Sequence, residues 1–208
     1  MAGLFLHRGW WELTAAVLLG FTCYLRPGEL EGLTRMQLVP PSPAGGQPYM
    51  KWGILLHPTE LGRPGKTGIF DDAVTVDRLP ELTPLLQRLW RRGGRATDRL
   101  WSFPLGLLQE RFQDACEALH LQALSPTLYS LRHGGASEDI LRGHRTLAET
   151  KKRGRWSSDS SLKRYSKDTR LMSELAKVPV RTIDYGRRIE RLLPALLAGT
   201  AAVPCPPV

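Results

Sequence analysis

The sequence predicts a mainly α-helical domain carrying a small antiparallel β-sheet near its start, an α+β arrangement. Three observations predict it. Apolar residues recur at helical spacing through most of the chain, two short strand-like runs flank a turn-rich segment in the first half, and Pro/Gly clusters punctuate the intervals. At 208 residues the chain is long enough to bury a proper core.

Taken in order, Trp10, Leu13, Val17, Leu18, Phe21 and Tyr24 define an amphipathic helix. It must stop before Pro27, which can itself open the next helix because proline fits a first turn. The run Pro-Pro-Ser-Pro-Ala-Gly-Gly-Gln-Pro over 40–48 is a loop. Trp52-Gly-Ile-Leu-Leu-His57 and Ala73-Val-Thr-Val-Asp77 read as strands, joined by Gly62-Arg-Pro-Gly-Lys66-Thr-Gly68. Helices are expected at about 80–92, 105–119, 127–140 and 161–176, with a short one over 189–197 and a disordered end from Val203.

Charge is unevenly spread. Residues 140–191 hold 15 Lys+Arg against 6 Asp+Glu, while the rest of the chain holds 14 of each. The whole surplus of +9 therefore falls in one segment, which points to a polyanion partner, nucleic acid being the commonest. Cys23, Cys116 and Cys205 are far apart and odd in number, which excludes a disulfide framework or a metal-ligand spacing and fits a reducing compartment. The apolar run 13–25 is too short to cross a bilayer, and Glu12 abuts it with no small-residue cleavage site following. These features lead to the expectation of an intracellular protein, nuclear if eukaryotic and cytoplasmic if bacterial, neither secreted nor membrane-bound.

The chemistry lies in a spaced set of residues. Phosphodiester transfer without a metal needs a nucleophile, cations on the non-bridging oxygens and an acid for the leaving 5′ oxygen. Arginine suits the second role because its planar fork grips two phosphate oxygens and keeps its charge. Lysine suits the third when neighbouring cations lower its pKa. The candidates run in the order Tyr24-Leu-Arg26-Pro-Gly-Glu29, Gly65-Lys66-Thr-Gly, Tyr129-Ser-Leu-Arg132-His133, Gly154-Arg-Trp156 and Arg164-Tyr165, the last two aromatics nine residues apart.

Over roughly residues 10–176 this order resembles the catalytic domain of the tyrosine recombinases, the phage-integrase family. The resemblance implies a DNA breaking-and-rejoining enzyme that works through a 3′-phosphotyrosyl intermediate, without metal or nucleotide cofactor, in site-specific recombination or DNA integration of the mobile-element kind. It implies that Arg26 and Arg132 clamp the scissile phosphate, that Lys66 protonates the leaving oxygen and that Tyr165 attacks. Glu29 would hold Arg26, and His133 matches a histidine often found after the second arginine. Trp156 falls where members have His or Trp, and its indole N–H can donate to a phosphate oxygen. Tyr129 stands where the family usually has His, a phenol being a poorer proton carrier near neutral pH. Lys151, Lys152, Arg153, Arg155, Lys163 and Arg164 are expected to contact the DNA backbone. Double-stranded DNA is the implied partner, with other protomers in a synaptic tetramer.

The expected organisation is a catalytic domain over 1–176 and a tail over 177–208, with the family's N-terminal clamp domain absent. A non-catalytic DNA-binding remnant and a type IB topoisomerase are the alternative readings. Gly65-Lys66-Thr67 is not a P-loop, since Glu60 stands where its first glycine belongs and a strand follows it.

Overall fold

The computed structural model describes residues 1–62, 70–104, 106–158 and 168–207, with backbone alone for 168–171. Two helices open it, α1 (Ala2–His7) and α2 (Trp11–Thr22), followed after a sharp turn by the short α3 (Pro27–Glu31). Strands β1 (Leu38–Val39), β2 (Gly53–Leu56) and β3 (Asp72–Thr75) form an antiparallel sheet in the order β1-β2-β3. Six more helices are described: α4 (Thr83–Arg91), α5 (Leu107–Ala118), α6 (Leu128–Leu141), α7 (Leu147–Gly154), α8 (Asp168–Leu175) and α9 (Val180–Leu197).

The sheet register explains its buried face. Leu38 pairs with Ile54 and Ile54 with Val74, so one inward row crosses all three strands. Those side chains are almost wholly buried, as alternation along a half-covered sheet requires. Of the connection from β2 to β3, residues 63–69, which include Lys66, lie outside the described residues.

Helix α2 departs from the expected amphipathic pattern. Leu13, Thr14, Ala15, Ala16, Val17, Leu19, Gly20 and Thr22 are all buried, so it runs through the middle of the domain. Its small residues make this feasible: a Cβ on Gly20 would sit 3.1 Å from Leu30 and 3.2 Å from Leu131. The closest approach is to α6. A Cβ on Gly135 would fall 1.9 Å from the Phe21 carbonyl oxygen, so only glycine lets the two backbones meet there. That contact sets the position of α6, and hence of Arg132 one turn earlier.

Two expectations are corrected at the C-terminal end. The helix expected over 189–197 begins at Val180, because Tyr185 and Ile189 extend its buried stripe backwards between the arginines that obscure it in the sequence. It is not an appended tail. Ile189 meets α1 so closely that a Cβ on Gly3 would lie 2.5 Å from it, and the Thr182 hydroxyl donates to the Leu119 carbonyl at 2.9 Å. The stretch after α9 also lies on the core through Ala201 and Val203, where disorder was expected. Among the described residues no helix is long and apolar enough to cross a membrane.

Candidate active site

The site is built at three chain breaks. At the first, α2 ends and Tyr24 takes a left-handed backbone (φ 51°), turning the chain towards α3. Arg26 stands just before the first turn of α3, Pro27 opens it, and Glu29 reaches back to accept the Arg26 backbone N–H at 2.7 Å. The same carboxylate takes the Arg26 guanidinium at 2.7 Å. The sequence-predicted partnership of Glu29 with Arg26 is therefore made.

At the second, α6 starts after Thr127, whose N–H donates to the Ser130 hydroxyl at 3.0 Å. Arg132 lies one turn in and is fully buried. Its Nη1 donates to the Tyr24 carbonyl at 2.5 Å and its Nη2 to the Gly154 carbonyl. At the third, α7 opens with a capping box. The Thr146 hydroxyl accepts the Glu149 N–H at 3.2 Å, and the Glu149 carboxylate accepts the Thr146 N–H at 2.7 Å. The helix closes at Gly154, after which Arg155 is left-handed (φ 52°). This turn lays the Trp156 ring over the Arg132 guanidinium, 4.6 Å from it, and beside the Tyr24 ring at 6.2 Å.

The three breaks converge on one carboxylate. Glu29, only 4% exposed, holds Arg26 on one oxygen and Arg155 on the other, the latter at 2.6 Å. His57 Nε2 lies 3.7 Å from the oxygen shared with Arg26, and Asp72 lies 3.7 Å from Arg155 Nε. Burial alone would raise the Glu29 carboxyl, but Arg155 and the Arg26 N–H and guanidinium outweigh it and hold it below its ordinary value. The opposite happens to Arg132: burial, then the neighbouring Arg155 and Arg26 charges, lower it to about 10, which leaves it cationic at neutral pH.

Positive charge is thus in excess. Two guanidiniums, Arg26 and Arg155, contact the Glu29 carboxylate while Arg132 feels its charge without touching it, and Arg132 Nε, Arg155 Nε and His57 Nε2 are buried with no hydrogen-bond partner among the described residues. Buried donors are nearly always satisfied, so three in one cluster mark a place that an anion would complete. A cleft of about 370 Å³, lined by Gly28, Glu29, Thr34, Gln37 and His57 among others, opens beside it.

Of the sequence-predicted residues, Arg26, Glu29, Arg132 and Trp156 come together here. Tyr129 sits in the first turn of α6, 40% exposed, its ring 4.8 Å from that of His133 and its phenol close enough to bear on the Arg132 charge. Lys66, Lys163, Arg164 and Tyr165 lie outside the described residues. Lys152 is exposed on α7 and Lys151 is half-buried.

Arg153 and Arg155 differ from their expected DNA-backbone role. Arg153 is 9% exposed and spends its donors on the Thr22 and Thr75 carbonyls, with Asp77 at 3.2 Å. It fastens the end of α2 to β3. Arg155 is equally buried and belongs to the Glu29 cluster. Helix α7 itself was not read from the sequence, although Thr146-Leu-Ala-Glu149 is a capping-box signature for it. His57 carried no signal beyond ending a strand; its left-handed backbone (φ 50°) is a feature only the fold reveals.

Compared with protein-family models, with curated proteins and with solved structures, the chain matches none of them.

Proposed function

We propose that the chain breaks and rejoins double-stranded DNA with a tyrosine nucleophile, in the manner of a tyrosine recombinase. The observation that carries this reading is the meeting of Arg26, Arg132 and Trp156 around Glu29, from chain positions more than a hundred residues apart, at a cluster rich in unpartnered N–H donors. Metal-free phosphodiester transfer uses that combination: fixed guanidiniums neutralise the charge that grows on the non-bridging oxygens in the transition state.

In this reading Arg26, the most exposed of the three guanidiniums at 21%, meets the phosphate first, and Glu29 fixes its fork. Arg132 and Arg155 supply positive potential from beneath. The Tyr165 phenol loses its proton to solvent as its oxygen attacks phosphorus, a 3′-phosphotyrosyl bond forms, the bond to the 5′ oxygen breaks, and Lys66 supplies the proton that oxygen takes up. Rejoining reverses the steps, with the 5′-hydroxyl as nucleophile. Tyr129 and Trp156 border the phosphate as hydrogen-bond donors.

A suicide DNA substrate, nicked so that the cleaved end is lost, tests the reading. The wild type should form a covalent protein–DNA adduct resistant to denaturant, and Tyr165→Phe should form none. An adduct that survives Tyr165→Phe would refute the assigned nucleophile.

A second reading is favoured by one observation, the complete burial of Arg132 with both Nη groups spent on internal carbonyls. Together with Tyr129 in the usual histidine position, this suits a DNA-binding remnant that no longer cleaves. Salt-sensitive DNA binding without an adduct on any substrate would select it.

A further inference from the structure

We infer a second nucleic-acid contact on the outer face of α4, remote from the Glu29 cluster and formed by Arg88 and Arg91 beside Trp11. The inference rests on the DNA-handling reading above and extends it to where the rest of the duplex is held.

The charge pattern changes when the chain folds. In sequence, the residues outside 140–191 balance to zero. In space they do not, because several of their acids are consumed by arginines of the basic segment. Glu29 pairs with Arg155, Asp77 with Arg145 and Arg153, Glu138 with Arg142, and Asp139 with Arg145. The basic segment is thereby largely neutralised on its inner side, and basic charge is left without acids elsewhere.

Helix α4 is one place where it is left. Arg88 and Arg91 are one turn apart on its exposed side, and no carboxylate reaches either among the described residues. Arg92, by contrast, is tied to Glu12 at 2.9 Å and to the Leu100 carbonyl. The Arg88 guanidinium lies 4.0 Å over the Trp11 ring. The contact with the ring restrains the guanidinium, whose planar fork is suited to gripping phosphate oxygens. Trp11, Gln87, Arg88, Arg91 and Arg92 line an open groove of about 530 Å³. The helix end is rigid, since Arg35 donates to the Leu89 and Trp90 carbonyls at 3.3 and 2.8 Å.

The occupant is the phosphodiester backbone of duplex DNA. Two unpaired planar cations on a fixed helix face, next to an aromatic plane and a side-chain amide, suit a regular polyanion.

Binding of a fluorescent random-sequence duplex, followed by anisotropy across a salt series, tests this. Each lost phosphate contact should flatten the log–log salt dependence by about 0.9. Arg88→Ala/Arg91→Ala should therefore flatten it by about 1.8 with an unchanged thermal midpoint, while Arg88→Lys/Arg91→Lys should keep the wild-type slope. An unchanged slope in the alanine double variant overturns the inference, as does displacement of the duplex from wild type, but not from that variant, by polyglutamate acting as the tighter ligand. The adduct assay reports separately: an adduct with no slope change sinks this surface alone, and a slope change with no adduct sinks only the recombination chemistry.

Discussion

Replacing Gly135 with alanine adds a methyl group 1.9 Å from the Phe21 carbonyl oxygen, 2.9 Å from its carbon and 3.0 Å from Tyr24. The first two obstacles are backbone, so no rotamer change can relieve them. An ordinary C···O approach is about 3.3 Å, so α6 must move away from α2 by roughly 1.4 Å at that point. Overpacking of this sort costs about 1–3 kcal/mol, and a backbone–backbone clash belongs at the upper end. For a domain of this size about 3 kcal/mol lowers the melting midpoint by roughly 6–12 °C. The shift also reaches the site. Arg132 is three residues away and holds the Tyr24 carbonyl at 2.5 Å, a bond that a displacement of an ångström breaks. Gly134→Ala is the internal control, because its Cβ would meet only the edge of the Phe21 ring, at 3.2 and 3.6 Å, and a ring can turn. Thermal melts of both variants beside wild type decide the matter. A midpoint for Gly135→Ala within about 2 °C of wild type, or equal losses in the two variants, would refute the argument that this glycine positions Arg132.

Two further outcomes follow from the same geometry. Burial would raise the Glu29 and Asp77 carboxyls, but their arginine partners outweigh it and hold both below their ordinary values of 4.5 and 3.8. Groups depressed in the folded state stabilise it above the unfolded-state pKa and lose that contribution as pH falls through the folded one. Melting midpoints should therefore hold from pH 7 to about 5 and fall steeply below it, and Glu29→Gln should melt lower at neutral pH by the equivalent of about 3 kcal/mol with a shallower acid decline; a variant keeping the full acid slope contradicts the assignment. Gly154→Ala drives a Cβ to 1.9–2.5 Å from the Trp156 ring, so the indole must leave the Arg132 guanidinium, and acrylamide quenching of tryptophan emission should rise. The same change made in a Trp156→Phe background should leave quenching unaltered.

The readable and unreadable parts of this molecule divide along a physical line. Local signals reached their targets: the β2–β3 pairing, the breaks at Pro27 and after α2, and the helical runs around α4, α5 and α6 all depend on residues a few positions apart. Motif order selected Arg26, Glu29, Arg132 and Trp156, which the fold brings together. What the sequence conceals is partnership across distance. Arg155 looks like one more cation in a basic run, and nothing near it in the chain indicates that its counter-ion lies 126 residues earlier. Arg153 is concealed in the same way, since its acceptors are carbonyls of α2 and β3. The start of α9 was hidden for a different reason, its arginines masking a buried stripe whose partners on α1 and α5 are distant in the chain.

The burial of Arg132 decides how the site could work, and energetic comparison narrows the choice. Exposing its guanidinium means giving up the hydrogen bond to the Gly154 carbonyl and the stacking beneath Trp156. The first is worth about 1.5–3 kcal/mol for a charged donor, and the second about 0.5–2 kcal/mol. A phosphate oxygen in the same position returns a charge-assisted bond roughly twice as strong as a neutral one, and it also satisfies buried N–H groups that now have no partner. For these two contacts the exchange is close to balanced provided the Arg155–Glu29 ion pair is kept, and in the proposed reading DNA bound elsewhere on the protein would drive it. Arg155 makes the exchange local, because its left-handed turn is the joint on which both the Gly154 carbonyl and the Trp156 ring are carried. A short movement of 154–156 would then uncover Arg132 while α6, fixed by Gly135 against Phe21, stays in place. If the chain cleaves DNA as proposed, catalysis depends less on Tyr129, which is already exposed, than on whether that joint yields when a phosphate reaches Arg26.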